Sequence, residues 1–191
     1  MEKNIGIVLK SYYPQRQKLV VLDKKEGKFQ CVPHRVDIPN GAIIAYTKVK
    51  KQIYLINNIE ILDVPFALAL NDISFLHAIL EIAYYFVPSQ CPNHGIFDLL
   101  LYLYSFPDRI KYTLDKKLFL FKLFISLGIY PEGEKFQTPH LYTIASESID
   151  TIINKKLHLE IERYIDDCLL ACIEIHPRFH SFKTVSFLFK N

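Results

Sequence analysis

Glycine is scarce in this chain, with six residues in 191. Neither a G-x-G-x-x-G run nor a Walker-type G-x-x-x-x-G-K-[ST] run occurs, which removes the Gly-rich loops that bring backbone close to phosphates. A G-x-S-x-G elbow and an H-E-x-x-H pair are missing as well. Without an exposed nucleophile on a tight turn or two imidazoles on one helix face, the expectation is a protein that is not an enzyme. No stretch reaches ~18 uninterrupted apolar residues, so no membrane span is expected. The longest candidate, 64–87, is interrupted by Asn71, Asp72, His77 and Glu81. The opening MEKNIGIVLK has no long apolar core and no small-residue cleavage site, so it does not read as a signal peptide, and a cytoplasmic protein is expected. Internal repeats and low-complexity tracts are absent too.

Cysteine is also thin: Cys31, Cys91, Cys168 and Cys172. In a large apolar chain of this kind free thiols are expected. Cys168 and Cys172 lie one helical turn apart and read as small buried apolar residues, because no second close ligand pair accompanies them. Cys91 and His94 form a lone C-x-x-H. His176 and His180 are four apart, but Pro177 between them disfavours a shared helical face. No metal and no cofactor are expected.

What is present is the composition of a folded globular chain, half hydrophobic and 23% charged. The charge is uneven. Residues 1–63 hold eleven Lys/Arg against six Asp/Glu, a balance of +5, whereas residues 64–191 hold twelve against fourteen, a balance of −2. The hydrophobic pattern changes at the same place, so two domains are expected, 1–64 and 65–191.

The first half predicts five short strands, over 5–9, 18–22, 29–32, 42–49 and 52–61. Turns fall at Glu26-Gly27-Lys28 and Lys50-Lys51, with Pro33, Pro39 and Asn40-Gly41 between the third and fourth strands. Five short strands in about sixty residues predict a small closed barrel of the OB-fold type. The second half predicts helices. Asn71 or Asp72 caps a first one, whose apolar residues Ile73, Leu76, Leu80, Ala83, Tyr84 and Val87 recur at helical spacing as far as Pro88. Further helices are expected over 96–104, 114–127, 144–153 and 157–175, with a short one over 182–189 capped by Ser181. The fold class is therefore α+β, a five-stranded N-terminal OB barrel followed by an all-α domain.

Residues 114–131, LDKKLFLFKLFISLGIYP, form the centre of that helical part. Between 118 and 127 only Lys122 and Ser126 are polar, and a helix that is apolar on nearly every side must be surrounded by protein. Thr113 is the expected N-cap and Gly128 the αL C-cap, with Pro131 blocking continuation. Asp166 and Asp167, farther along, are expected on a solvated face.

Chemistry is richest in the basic half. Lys10, Arg16, Lys18, Lys24, Lys25, Lys28 and Arg35 cluster in the first three strands and their loops, with Tyr12, Tyr13 and Phe29 among them. Cations contact phosphates and aromatic faces stack on unpaired bases, so the mixture suits single-stranded nucleic acid on a small barrel. A solvated surface accounts for the same charges equally well.

The order of these segments resembles the RecO family of bacterial DNA repair and recombination proteins over nearly the full length. GIVLKSYYPQRQKLVVLDKKEGKF is similar to that family's first strands. LEIAYYFVP, IFDLLLYLY and LFLFKLFISLGIYP follow its helical half, with Phe119, Leu127, Gly128 and Pro131 on the marked positions of its Leu-Gly-Tyr-x-Pro helix, and HPRFHSFKTVSFLF resembles its closing segment. Leu120 stands where the family usually has an acidic residue and Ile129 where it usually has Tyr. Many relatives carry a four-cysteine zinc module after the Gly-x-x-Pro, whereas 132–141 here contains no cysteine, so zinc is not carried over.

The resemblance implies a non-enzymatic mediator of the RecF pathway. Such a protein binds single- and double-stranded DNA, anneals strands, and assists recombinase loading on strands coated by single-strand-binding protein. The implied partners are that protein's acidic-hydrophobic C-terminal tail and RecR. The tail needs an apolar groove rimmed by cations, for which Arg109, Lys111, Lys116, Lys117 and Lys122 are available; the same lysines otherwise keep one side of the central helix wet. The alternative is an adaptor of the same fold that binds RecR or single-strand-binding protein without DNA affinity.

Overall fold

The computed structural model describes residues 3–15, 17–34, 37–49, 53–133, 136, 138–154 and 159–182. Five strands, β1 (Asn4–Ser11), β2 (Leu19–Asp23), β3 (Gly27–Pro33), β4 (Ile43–Val49) and β5 (Tyr54–Asp63), close into a barrel in the order β1-β2-β3-β5-β4. All neighbours are antiparallel except β3 and β5, whose parallel pairing is short: Cys31 opposite Tyr54, Val32 opposite Leu55, Pro33 opposite Ile56. The expected strands are all present, offset by one or two residues at their ends, and the architecture is α+β with an OB-like barrel. Residues 50–52, with the expected Lys50-Lys51 turn, lie outside the described residues.

Alternation explains the closure. Val8, Leu19, Val21, Phe29, Cys31, Ile44, Tyr46 and Ile56 all point inward and are buried, joined by Ile38 and Ala42 from the connection before β4. A five-stranded sheet with one fully apolar face removes its open edges by curling onto itself. Tyr46 carries the one phenol at the centre of this core, and its hydroxyl donates to the buried carboxylate of Asp23. The other Asp23 oxygen accepts from the backbone N–H groups of Lys25 and Glu26, at 2.7 and 2.8 Å, so this one side chain builds the β2–β3 turn and satisfies the phenol. Burial, followed by the hydrogen bond to Asp23, pushes the Tyr46 phenol well above its ordinary range.

Gly27 completes that turn at φ +79°, and a Cβ there would run into the backbone of Cys91. The 88–93 loop rests on this hairpin: Gln90 N–H donates to Lys28 C=O at 2.8 Å. A left-handed φ and a backbone collision act together, so Gly27→Ala is expected to destabilise the chain by about 2 kcal/mol. An unchanged urea midpoint in that variant would show that the loop yields freely.

Two helices belong to the same compact unit as the barrel, Met1–Tyr104: α1 (Phe66–Phe86) and α2 (His94–Ser105). The backbone of α1 leaves helical geometry at Asp72, whose carboxylate accepts from Phe75 N–H at 2.9 Å. Asp72 thus caps the second segment as its sequence position suggests, while an extra turn precedes it from Phe66. The buried face is wider than a single stripe, since Phe75, Ala78, Ile79 and Ile82 are buried beside Leu76, Leu80 and Ala83. By length and composition this helix is apolar enough to cross a membrane.

The second unit, Ser105–Asn191, contains α3 (Thr113–Ser126), α4 (Pro139–Ser146), α5 (Ile149–Asn154) and α6 (Leu159–Glu174). The central helix is as apolar in space as in sequence: Leu118, Phe119, Leu120, Phe121, Leu123, Phe124 and Ile125 are all buried. It ends in a Schellman motif, with Gly128 at φ +74°, Gly128 N–H on Ile125 C=O and Ile129 N–H on Phe124 C=O. Its N-cap is Tyr112 and not the expected Thr113, because the Asp115 carboxylate reaches back to Tyr112 N–H at 3.2 Å.

The single helix expected over 144–153 is two helices. Pro139 starts α4 early, its fixed φ suiting a first helical position. The Lys122 ammonium then donates to the carbonyls of Ile144, Ala145 and Glu147, at 2.9, 2.7 and 2.9 Å, and holds the C-terminal end of α4. Ser148 opens α5, its hydroxyl accepting from Thr151 N–H. The short helix expected over 182–189 lies, but for Phe182, outside the described residues.

Candidate functional site

The basic cluster is organised by two tyrosines. Tyr12 directly follows β1 and Tyr84 lies in the last turn of α1; their hydroxyls share a hydrogen bond of 3.0 Å. Lys10 Nζ sits 5.1 Å from the Tyr12 ring centre and 4.9 Å from that of Tyr84. Lys18 lies 5.2 Å over Tyr12, and Lys28 lies 5.7 Å from Tyr84 while donating to the Tyr84 backbone carbonyl at 2.5 Å. Three ammonium groups therefore share two aromatic faces, an arrangement that holds each cation electrostatically without neutralising it.

None of Lys10, Lys18 and Lys28 has a carboxylate partner among the described residues. All three are half-buried. Desolvation between β3 and α1 pulls the Lys28 ammonium down to about 8. Among the described residues this positive charge is uncompensated and sits in a partly dry setting, where a countercharge would be favoured.

The other cations expected on the barrel are placed differently. Lys24 is exposed, 3.6 Å from the Asp98 carboxylate and 5.7 Å from the Phe97 ring centre. Lys25 is exposed at the β2–β3 turn. Arg16 and Arg35 lie outside the described residues. Among the aromatics, Phe29 does not face outward: it is 4% exposed and packs edge-on against Tyr54 with ring centres 5.1 Å apart. Its alternation within β3 turns it inward beside Cys31, so it has no face to offer a base. Tyr13 is 55% exposed.

The cations of the second unit serve largely within it. Lys117 is 4% exposed and places its ammonium 2.9 and 3.0 Å from the two carboxylate oxygens of Asp166 on α6. Asp166 keeps part of the solvent exposure expected for it, with its side chain 35% exposed, while it pairs with Lys117. Lys122 is bound to the end of α4, and burial lowers its proton affinity. Arg109 pairs with Asp150 and stacks 5.3 Å from the Phe106 ring centre. Lys111 is exposed and Lys116 half-buried. Among the described residues no group of three or more His, Cys, Asp or Glu side chains is placed to hold a metal ion.

Tyr84 is the site residue that sequence reasoning did not single out. It reads as one more apolar position on α1; only its phenolic tip, and the adjoining Tyr85, hint at a role at the helix surface. No family model matches the chain, and no curated protein matches it.

Proposed function

We propose that this chain is a non-enzymatic DNA-binding protein of the RecO kind, a mediator in repair and recombination. In that role it binds and anneals DNA through its barrel and assists recombinase loading on strands coated by single-strand-binding protein. The observation that carries the reading is the trio Lys10, Lys18 and Lys28, held over Tyr12 and Tyr84 with no carboxylate partner among the described residues. Lys10 shares one ring with Lys18 and the other with Lys28, so it lies within about 11 Å of each, close enough for the three ammonium groups to meet neighbouring phosphates of one strand. The resemblance in segment order supports the repair assignment, and the OB-like barrel is a scaffold suited to it.

A titration of labelled single-stranded DNA at two salt concentrations tests this. Binding at low salt that weakens steeply as salt rises is the expected result, because each neutralised phosphate releases counterion. Undetectable binding at low salt would sink the proposal.

Lys28 adds a pH signature. Below about 8 it is cationic and attracts phosphate; as pH rises through that value the charge, and its share of the affinity, is lost. Affinity is expected to fall several-fold between pH 7 and 9 at fixed ionic strength, and Lys28→Gln should flatten that dependence. The sign for folding is opposite. Between about 8 and the ordinary 10.5 the native state binds fewer protons at Lys28 than the unfolded chain does, so this group makes stability rise with pH across that window.

A second reading, the protein-interaction adaptor, is favoured by one feature. Apolar side chains stand exposed from the end of β5 into α1: Ile61, Leu62, Phe66, Leu70 at 87% exposure, and Ile73. Capture of RecR or of the single-strand-binding-protein tail without DNA affinity would select it.

A further inference from the structure

We propose that Tyr13 is the residue by which the basic face of the barrel tells an unpaired strand from a duplex, its ring serving as the platform on which one base stacks. This rests on the nucleic-acid reading above and adds to it a determinant of strand selectivity.

The aromatic side chains around the three lysines differ in what already touches them. Phe29 is inside the barrel. The Tyr12 ring is flanked by Lys10 and Lys18, and its hydroxyl is tied to Tyr84. The Tyr84 ring lies near Lys10 and Lys28 and takes the edge of Tyr85, with centres 5.0 Å apart. These two rings already have cations close to them. Tyr13 differs, being more than half exposed and making no hydrogen bond, cation contact or ring contact with the described residues.

Position gives that open ring its meaning. Tyr12 N–H donates to Lys18 C=O at 3.0 Å, closing the loop on which Tyr13 sits, and the pinned Tyr12 side chain fixes the residue before it. Tyr13 Cα is one peptide, about 3.8 Å, from Tyr12 Cα, so its backbone adjoins the residue whose ring Lys10 and Lys18 approach. Phosphates held at Lys10 and Lys18 belong equally to single strands and duplexes. A base face does not: in a duplex it is covered by its neighbours, and in a single strand it is free to lie on an aromatic ring. The lysines therefore give affinity for both forms, and Tyr13 adds affinity for one.

The test compares the full chain with Tyr13→Ala and Tyr13→Phe at low salt. The probes are a labelled oligonucleotide of about 15 nucleotides, within the site size of one OB fold, and its blunt duplex. Tyr13→Ala should weaken the single strand by roughly 5- to 100-fold, the cost of one base stack, while duplex affinity stays within about twofold. Tyr13→Phe should bind as the parent does. The chain has no tryptophan, so tyrosine emission is directly readable; quenching by the single strand should shrink in Tyr13→Ala. An unchanged ratio of single-strand to duplex affinity in Tyr13→Ala, or an equal loss on both, overturns this role for Tyr13 and leaves the DNA-binding proposal standing. If the unaltered chain binds neither probe, that proposal falls and this one with it.

Discussion

Reversing two charges at once, Lys10→Glu with Lys18→Glu, is expected to lower affinity for single-stranded DNA on the order of 100-fold at low salt. The salt dependence should flatten too, by ~0.7 in the log–log slope for each phosphate of a single strand that is no longer neutralised. Both lysines reach the same Tyr12 ring, so the double variant removes the centre of the cluster in one step. The contrast with its neighbours makes the experiment specific. Lys24 already faces Asp98, and Lys24→Glu should cost far less. Lys111 is exposed in the other compact unit, and Lys111→Glu should stay within a few-fold of the parent. Lys10 and Lys18 are half-buried, so circular dichroism on the double variant separates impaired binding from impaired folding. A folded double variant with unaltered affinity would remove the barrel cluster from any DNA-binding role.

The largest effect on stability is expected at Asp166. Its carboxylate is the anion beside the Lys117 ammonium, which is itself almost wholly buried between α3 and α6. Asp166→Ala takes a carboxylate away from that buried ammonium, at a cost of about 3 kcal/mol. For a chain of this size that corresponds to a fall in Tm of roughly 6–12 °C. Taking the charge away is a different matter. Lys117→Met removes the desolvation problem together with the attraction, and Lys117→Met combined with Asp166→Leu should recover most of the stability, because apolar packing replaces a buried pair at little cost. A double-mutant cycle on these two positions gives the coupling directly. Should Asp166→Ala unfold at the same temperature as the parent, solvent reaches Lys117 and the pair contributes nothing to stability.

The sequence by itself determined most of the elements, but the helices α1 and α2, expected with the other helices, share a compact unit with the barrel. Inward alternation at Val8, Val21, Ile44 and Ile56 is a local property of each strand, and a five-stranded apolar face has few ways to hide other than closing. The end of α3 was equally legible: Gly128 and the residues beside it form a Schellman motif through bonds that span three and five residues, so the cause and the effect sit together in the chain. Asp72 capped its helix for the same reason.

What only the tertiary structure decided are the fates of charges and aromatic faces, whose partners come from far along the chain. Lys117 looks like a wet flank of the central helix until Asp166, 49 residues on, arrives from α6. Lys122 looks like a rim cation until the end of α4, 22 to 25 residues away, folds over it and accepts from its ammonium with three carbonyls, which is also why one expected helix became two. Phe29 and Tyr12 read alike in sequence, as aromatics among lysines; strand register turned the first into the core, and a hydroxyl 72 residues distant fixed the second at the surface. Caps, turns and periodicity act within a few residues and are written in the neighbours. Whether a lysine is bonded, buried or open to a phosphate depends on a long-range pairing that no local pattern specifies.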